Sequence, residues 1–131
     1  MVEDSLVVRQ ACRLLLEQEG FEVCGEAENL EGARRGIRLG TPDLVMVDLS
    51  LGAEDGMTLL SEFSKSDPEL PFLVVSMHEN AQHVRRALQA GAMGYVTKRE
   101  AMDLLAFAIR ECLAGRAYVS PRAASGLSGS W

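Results

Sequence analysis

The stretch LVMVDLSLG (residues 44–52) places four apolar residues directly before a carboxylate, Asp48, and leads into a loop that contains a serine and a glycine. An apolar run without alternation is typical of a strand that is buried on both faces. Such strands form parallel sheets covered by helices, so the stretch predicts an α/β fold. In these folds ligands bind at the carboxyl ends of the strands, which is where we expect Asp48 to lie.

Helices and strands alternate along the rest of the chain. Apolar periodicity, Ser and Asn caps, and Gly or Pro stops predict helices over 6–19, 30–39, 56–66, 79–90 and 100–114. Strands are predicted over 21–27, 44–47, 72–76 and 93–97. This alternation predicts a doubly wound parallel sheet with helices on each side.

Composition narrows the classes of function that the chain could have. Its 131 residues fit one domain, and the net charge of −6 offers no basic face for nucleic acid. No apolar run approaches the ~20 residues that span a bilayer, and no signal-peptide pattern opens the sequence, so we expect a cytoplasmic protein without a membrane partner. Three widely spaced cysteines, Cys12, Cys24 and Cys112, are interpreted as reduced core thiols.

Polar side chains stand at the ends of the predicted strands: Glu3, Asp4, Asp48, Ser76, Thr97 and Lys98. Crowded carboxylates repel one another, and Mg²⁺ relieves that repulsion while sharing its coordination with phosphate oxygens. A lysine and a serine can hold further phosphate oxygens. The set therefore predicts Mg²⁺-dependent phosphoryl transfer, with Asp48 as the acceptor.

Four motifs resemble the receiver domain of two-component response regulators, and in detail the NarL/LuxR family of transcriptional regulators. They are VEDS (2–5), VDLSLG (47–52) followed by DG (55–56), LVVSMH (73–78) and GAMGYVTK (91–98). Intervals of 44, 28 and 22 residues separate Asp4, Asp48, Ser76 and Lys98, which is similar to the family's spacing. The resemblance covers 2–121 and implies a flavodoxin-like sheet of five parallel strands in the order 2-1-3-4-5.

The resemblance also implies a role for each site residue. Asp48 would accept a phosphoryl group from a sensor histidine kinase, Ser76 and Lys98 would bind that group, and Tyr95 would act as the switch aromatic. The output face, 79–111, would control dimerisation or a DNA-binding domain. Such a chain is a phosphoacceptor with at most weak self-dephosphorylation, and not an enzyme. The implied Mg²⁺ ligands are Glu3, Asp4, Asp48 and the backbone carbonyl of Ser50.

The sequence departs from the family pattern at both ends. Receivers carry five or six strand residues before the acidic pair, whereas Met1 and Val2 alone precede Glu3. We therefore expect the first strand to be truncated or missing: upstream residues belong to a longer parent, the strand is shortened, or another molecule supplies it. Residues 1–115 are interpreted as the receiver and 116–131 as a linker or tail. We expect the output domain to lie outside this chain, so DNA contact would need that further domain.

Three other functions stay open beside this one. A stand-alone receiver would act through protein contacts alone, with or without forming a homodimer. An aspartyl-phosphate phosphatase of the haloacid dehalogenase kind is disfavoured, because its second aspartate, two residues after the nucleophile, is Ser50 here. A flavin- or dinucleotide-binding domain shares the fold class, but no GxGxxG loop is present.

Overall fold

Four parallel strands form the main sheet of this computed structural model, which describes residues 1–128. In sheet order they are β1 (Val45–Val47), β4 (Phe72–Ser76), β5 (Gly94–Thr97) and β6 (Tyr118–Val119). A separate antiparallel pair joins β2 (Ser50–Leu51) to β3 (Glu54–Asp55) in the loop after β1. The pairs β1–β4, β4–β5 and β5–β6 are all parallel, so their carboxyl ends meet at one edge.

Within residues 1–128, six helices connect and cover these strands: α1 (Leu6–Gln18), α2 (Leu30–Gly40), α3 (Met57–Ser66), α4 (Ala81–Gln89), α5 (Ala101–Leu113) and α6 (Pro121–Ser128). The predicted caps are present, since the side chains of Ser5 and Asn29 accept backbone N–H groups at the starts of α1 and α2. Asn80 caps α4 in the same way. Among the described residues, no helix has the length and apolar character needed to cross a bilayer.

The core lies on both faces of the sheet, as the apolar strands predict. Alternate strand residues point to opposite sides, so Val45 and Val47 pack with α2 and α3, whereas Met46 packs with α1 and α5. The α/β class with a helix-flanked parallel sheet is confirmed. The interpretation of the cysteines needs one correction: Cys12 and Cys112 are buried free thiols, but Cys24 is exposed.

The predicted strand over 21–27 is wrong. Within that segment Ala27 alone pairs with the sheet, through a one-residue parallel bridge to Val2, and Val2 forms a second such bridge to Val47. A ladder needs a partner along its length, and Val2 offers one residue of it. Three of the five implied strands form ladders, the first strand is reduced to Val2 as its truncation predicted, and the unpredicted β6 is the fourth strand of the main sheet in the described residues. The bridges still put Ala27, Val2 and Val47 side by side in the order that the resemblance implies.

The segment that follows α5 is folded, which its small and polar composition did not predict. Tyr118–Val119 extends the sheet as β6, and α6 packs against α4 and β5. Ala123 and Leu127, one helical turn apart, are both buried in the core. The last three residues of the predicted tail, 129–131, lie outside the described residues. The domain boundary at 115 stays a prediction.

Candidate functional site

Asp48 lies where the apolar run indicates, immediately after β1. Its side chain is 5% exposed, and its backbone N–H donates to the Val2 carbonyl at 2.9 Å. The carboxylate accepts a hydrogen bond from the Ser50 N–H at Oδ1, 3.2 Å away, and one from the Lys98 ammonium at Oδ2, 2.7 Å away. The acid is thus held rigidly and keeps a cationic partner.

The loop after Asp48 turns back so that its backbone lies close to both Asp48 and Asp4. Gly52 has a φ of 62°, a left-handed conformation that glycine adopts without a steric penalty, and its N–H donates to Asp4 Oδ2 at 3.0 Å. Gly56 begins α3 so close to Asp48 that a Cβ there would overlap the Asp48 carbonyl oxygen. Small residues therefore let the backbone approach the acidic cluster.

Lys98 follows β5 and reaches across to two acids. Its Nζ lies 2.6 Å from Glu3 Oε1 and 2.7 Å from Asp48 Oδ2. Burial alone would lower the pKa of Lys98, but the carboxylates of Asp48 and Glu3 outweigh it and raise that pKa. Lys98 is therefore a stable ammonium. Its backbone N–H also donates to the Ser76 carbonyl at 2.8 Å, which joins the ends of β5 and β4.

Glu3 and Asp4 complete an acidic cluster with Asp48. Glu3 is buried and Asp4 is exposed, and the three residues offer ligand oxygens that lie within 4.8 Å of one another. Burial raises the pKa of Glu3, whereas the hydrogen bond with Glu3 lowers the pKa of Asp4. The pKa values of these adjacent carboxyl groups shift in opposite directions because the two groups compete for one proton. A divalent cation would relieve the repulsion between their ionised forms. The donor set fits Mg²⁺, which prefers carboxylate oxygens.

Ser76 and Tyr95 are both fully buried beside this cluster. The Tyr95 hydroxyl donates to the His78 carbonyl at 2.6 Å, and the His78 N–H donates to Ser76 Oγ at 3.1 Å. Burial raises the pKa of Tyr95. The aromatic ring therefore lies inside the protein and is bound to the loop that follows Ser76.

Sequence reasoning missed His78 as part of the site. Its Nε2 lies 3.2 Å from Ser50 Oγ, so the imidazole bridges the loops after β4 and β1. The signal was present in the sequence, since His78 stands two residues after Ser76 and Ser50 two residues after Asp48. The carboxyl ends of parallel strands meet at one edge of the sheet, so the loops that carry these two residues lie close together.

Sequence reasoning also missed Glu100, which fastens the segment after α5. Its carboxylate accepts hydrogen bonds from Thr97 Oγ1 at 2.8 Å, Ser120 Oγ at 2.6 Å and the Arg122 N–H at 3.1 Å. Burial acts to raise the pKa of Glu100, but these three hydrogen bonds outweigh it and lower that pKa. The start of α6 is therefore anchored two residues from Lys98.

The structure brings the predicted residues together at one edge of the sheet. Residues 1–110 match the response regulator receiver domain family. The chain belongs to that family, which confirms the resemblance that its four motifs indicated.

Response regulators match this chain over nearly its whole length. Response regulator GacA from Pseudomonas aeruginosa is 33% identical over 129 residues, which cover 98% of this chain and 60% of GacA. A LuxR-family two-component response regulator from Aurantimonas sp. is 35% identical with a TM-score of 0.93, and the match covers 98% of this chain and 93% of that one. RcsB from Salmonella typhimurium is 25% identical with a TM-score of 0.87, over 96% of this chain and 64% of RcsB.

The chain spans about 60% of the length of the curated response regulators it matches. RcsB is known as dimers bound to DNA, which is a property of that longer protein. Receiver domains are generally phosphoacceptors that do not act as enzymes.

Proposed function

We propose that this domain accepts a phosphoryl group at Asp48 from the phosphohistidine of a sensor histidine kinase, in a Mg²⁺-dependent reaction. The observation that carries the proposal is the arrangement of charges at the end of β1. A nearly buried carboxylate contacts an ammonium at 2.7 Å and shares a 4.8 Å cluster with two further acids. A nucleophile, a cation for the phosphoryl oxygens and a set of metal ligands therefore converge on one point.

In the proposed reaction an Asp48 carboxylate oxygen forms a bond to phosphorus while the bond between phosphorus and the histidine nitrogen breaks. The electron pair of that bond leaves with the imidazole of the kinase. Lys98 would move its ammonium onto a phosphoryl oxygen, since it already contacts the attacking carboxylate. Glu3, Asp4, Asp48 and the Ser50 carbonyl would hold Mg²⁺, which when bound neutralises phosphate oxygens.

The proposed response begins at Ser76 and Tyr95. A hydrogen bond from Ser76 Oγ to the phosphoryl group would compete with the bond that this oxygen accepts from the His78 N–H. Tyr95 binds the carbonyl of the same residue, so a shift of that loop would reach the buried ring. Local charge would then change the surface formed by α4, β5 and α5.

The wider role is proposed from the family. We infer that the parent protein is a transcriptional regulator that contacts DNA through a domain outside this chain, in the cytoplasm, and that the output face supports a homodimer. A stand-alone receiver that acts through protein contacts is the alternative. The downstream sequence of the parent gene separates these two cases.

Labelling with acetyl phosphate and Mg²⁺ tests the central proposal. Intact-mass measurement is expected to show the addition of one phosphoryl group, which Asp48→Asn abolishes. Asp43→Asn makes the same change of charge at the amino end of β1, where the side chain is exposed, and is expected to label normally. Chelating Mg²⁺ should abolish labelling while the circular dichroism spectrum stays unchanged. Absence of an adduct, or an adduct that survives Asp48→Asn, overturns the proposal.

A further inference from the structure

The acidic turn that carries Glu3 and Asp4 has little support from the sheet. Val2 makes one-residue bridges on each side, the Glu3 N–H donates to the Ala27 carbonyl at 2.9 Å, and α1 begins at Leu6. A strand that pairs through one residue gains few ladder hydrogen bonds. The direction of the turn must therefore be fixed by other contacts.

Arg9 supplies such a contact from the first turn of α1. Its Nη1 donates to the backbone carbonyl of Glu3 at 2.7 Å, and its Nε lies 3.3 Å from Glu26 Oε1. The Arg9 side chain is 13% exposed, so water competes weakly for these bonds. One planar guanidinium thus joins α1, the acidic turn and the segment before Ala27.

Glu26 is itself held in place by a second arginine. Arg13, one helical turn after Arg9, contacts Glu26 Oε2 at 2.6 Å and lies 4.0 Å from Glu17. Arg13 therefore carries the same charge as Arg9 on the same helix and shares its partner. Among the described residues its ion pairs are with Glu26 and Glu17, and none is with the acidic turn.

We propose that Arg9 is a positioning residue for the metal-binding acids, and that it acts by fixing the Glu3 carbonyl and hence the directions of the Glu3 and Asp4 side chains. This inference rests on the proposed Mg²⁺ site. Positioning and charge predict opposite changes in Mg²⁺ affinity when Arg9 is removed. A cation near a metal site weakens binding by repulsion, so removing Arg9 would tighten Mg²⁺ binding if charge were its whole effect. Loss of positioning weakens binding instead.

The test compares Arg9→Gln with Arg13→Gln, which remove equal charge from the same cluster. Mg²⁺ affinity is measured by NMR titration of backbone amides. We expect the dissociation constant of Arg9→Gln to rise about tenfold, the usual effect of removing a group that orients metal ligands. Arg13→Gln is expected to stay within about twofold of the wild type. Unchanged or tighter binding by Arg9→Gln overturns the proposal.

A readout without metal separates this inference from the proposed function. In metal-free protein, hydrogen exchange at the Glu3 amide should become at least severalfold faster in Arg9→Gln, while amides of β4 keep their protection. Arg13→Gln should leave the Glu3 amide as protected as in the wild type. If the wild type binds no Mg²⁺, the proposed function fails, whereas this exchange experiment still tests what Arg9 holds. Equal exchange at Glu3 in all three proteins contradicts the positioning role.

Two further variants keep the test decisive if Arg9→Gln does not fold. Arg9→Lys retains the positive charge but loses the planar guanidinium that contacts Glu3 and Glu26 together. Its Mg²⁺ affinity should therefore lie between those of Arg9→Gln and the wild type. Glu26→Gln keeps Arg9 and weakens the ion pair that orients it, which should give an intermediate dissociation constant. If both variants bind Mg²⁺ as tightly as the wild type, Arg9 does not position the acids.

Discussion

Asp48 meets two requirements that oppose each other at the scale of a single residue. A nucleophile benefits from a rigid, partly dry position, yet an isolated buried carboxylate is costly. The hydrogen bond from the Asp48 N–H to the Val2 carbonyl holds the residue in place at the end of β1. The Lys98 ammonium supplies the compensating charge 2.7 Å away. Removing Lys98 would leave Asp48 and Glu3 without their shared cation, so the lysine stabilises the two buried acids of the site.

Gly56 gives a prediction about the backbone around the acceptor. A Cβ there would overlap the Asp48 carbonyl oxygen and lie 3.0 Å from Leu49 Cα, so Gly56→Ala must displace the acceptor loop. We expect it to lower the free energy of unfolding by about 1–3 kcal/mol, measured by urea denaturation, and to slow labelling with acetyl phosphate.

Gly36→Ala is the matched control for this substitution. Gly36 is an exposed residue within α2 and has no atom within 4 Å of the added Cβ. Alanine should raise the free energy of unfolding by up to about 1 kcal/mol, because it favours the helix. A Gly56→Ala protein as stable as the wild type would show that the loop has room the structure does not display.

Individual site residues differ in how far the sequence predicts them. Asp48, Ser76 and Lys98 follow apolar strands, so the pattern marks them and the structure brings them together. No sequence pattern indicates Arg9, because it contacts the backbone carbonyl of Glu3 and the side chain of Glu26, which is 17 residues away along the chain. Contacts of that kind depend on the tertiary arrangement of a turn and a helix, which periodicity does not encode.

At the scale of elements, Glu100 connects the turn after β5 to the start of α6. Burial acts to raise the pKa of Glu100, but hydrogen bonds from two hydroxyls and the Arg122 N–H outweigh it and lower that pKa below its ordinary value. A lowered pKa in the folded state gives stability that is present above the unfolded-state pKa and is lost as pH falls through the folded-state pKa. The contribution should therefore be complete at pH 7, begin to fall as the pH approaches the unfolded-state pKa, and be lost once the pH is below the lower folded-state pKa.

Glu100→Gln tests this connection. The amide should lower the free energy of unfolding by about 1–2 kcal/mol at pH 7, and its difference from the wild type should shrink at pH 3–4. Urea denaturation at both pH values measures it. Glu31→Gln, whose carboxylate is 83% exposed beside Arg35, is the control and should change the stability by less than about 0.5 kcal/mol. A cost for Glu100→Gln that does not depend on pH would contradict the assigned ionic role.

Elements with strong periodicity were predictable, and weakly patterned ones were not. Helices α1 to α5 follow the apolar spacing, and α1, α2 and α4 begin at side-chain caps. The segment 21–27 alternates in burial like a strand, with Phe21 and Val23 half-buried, but it lacks a neighbour along its length. Helix α6 was missed because Pro, Gly and Ser make up four of its eight residues, although Ala123 and Leu127 supply the buried face. Tertiary contacts explain both results: segment 21–27 has no strand to pair with along its length, whereas α6 packs against α4 and β5.

At the scale of the whole molecule, Mg²⁺ binding should be visible as stability. A ligand that binds only the folded state at 100 times its dissociation constant adds about 2.7 kcal/mol to the free energy of unfolding. We expect this gain in the wild type and its loss in Asp4→Asn, by urea denaturation with and without Mg²⁺. Asp43→Asn should retain the full gain, because Asp43 lies at the opposite end of β1. Equal stabilisation of all three proteins would place the cation elsewhere.

Because the start of α6 is anchored, a rotation of the turn after β5 would displace the whole helix. Glu100 fixes the backbone at Arg122, so the direction in which the eight-residue helix packs along α4 and β5 is set two residues from Lys98. Eight residues rise about 12 Å, and a tilt of about 10° at the base would carry the far end through about 2 Å. Small rotations of the turn after β5 are thus enlarged with distance along α6.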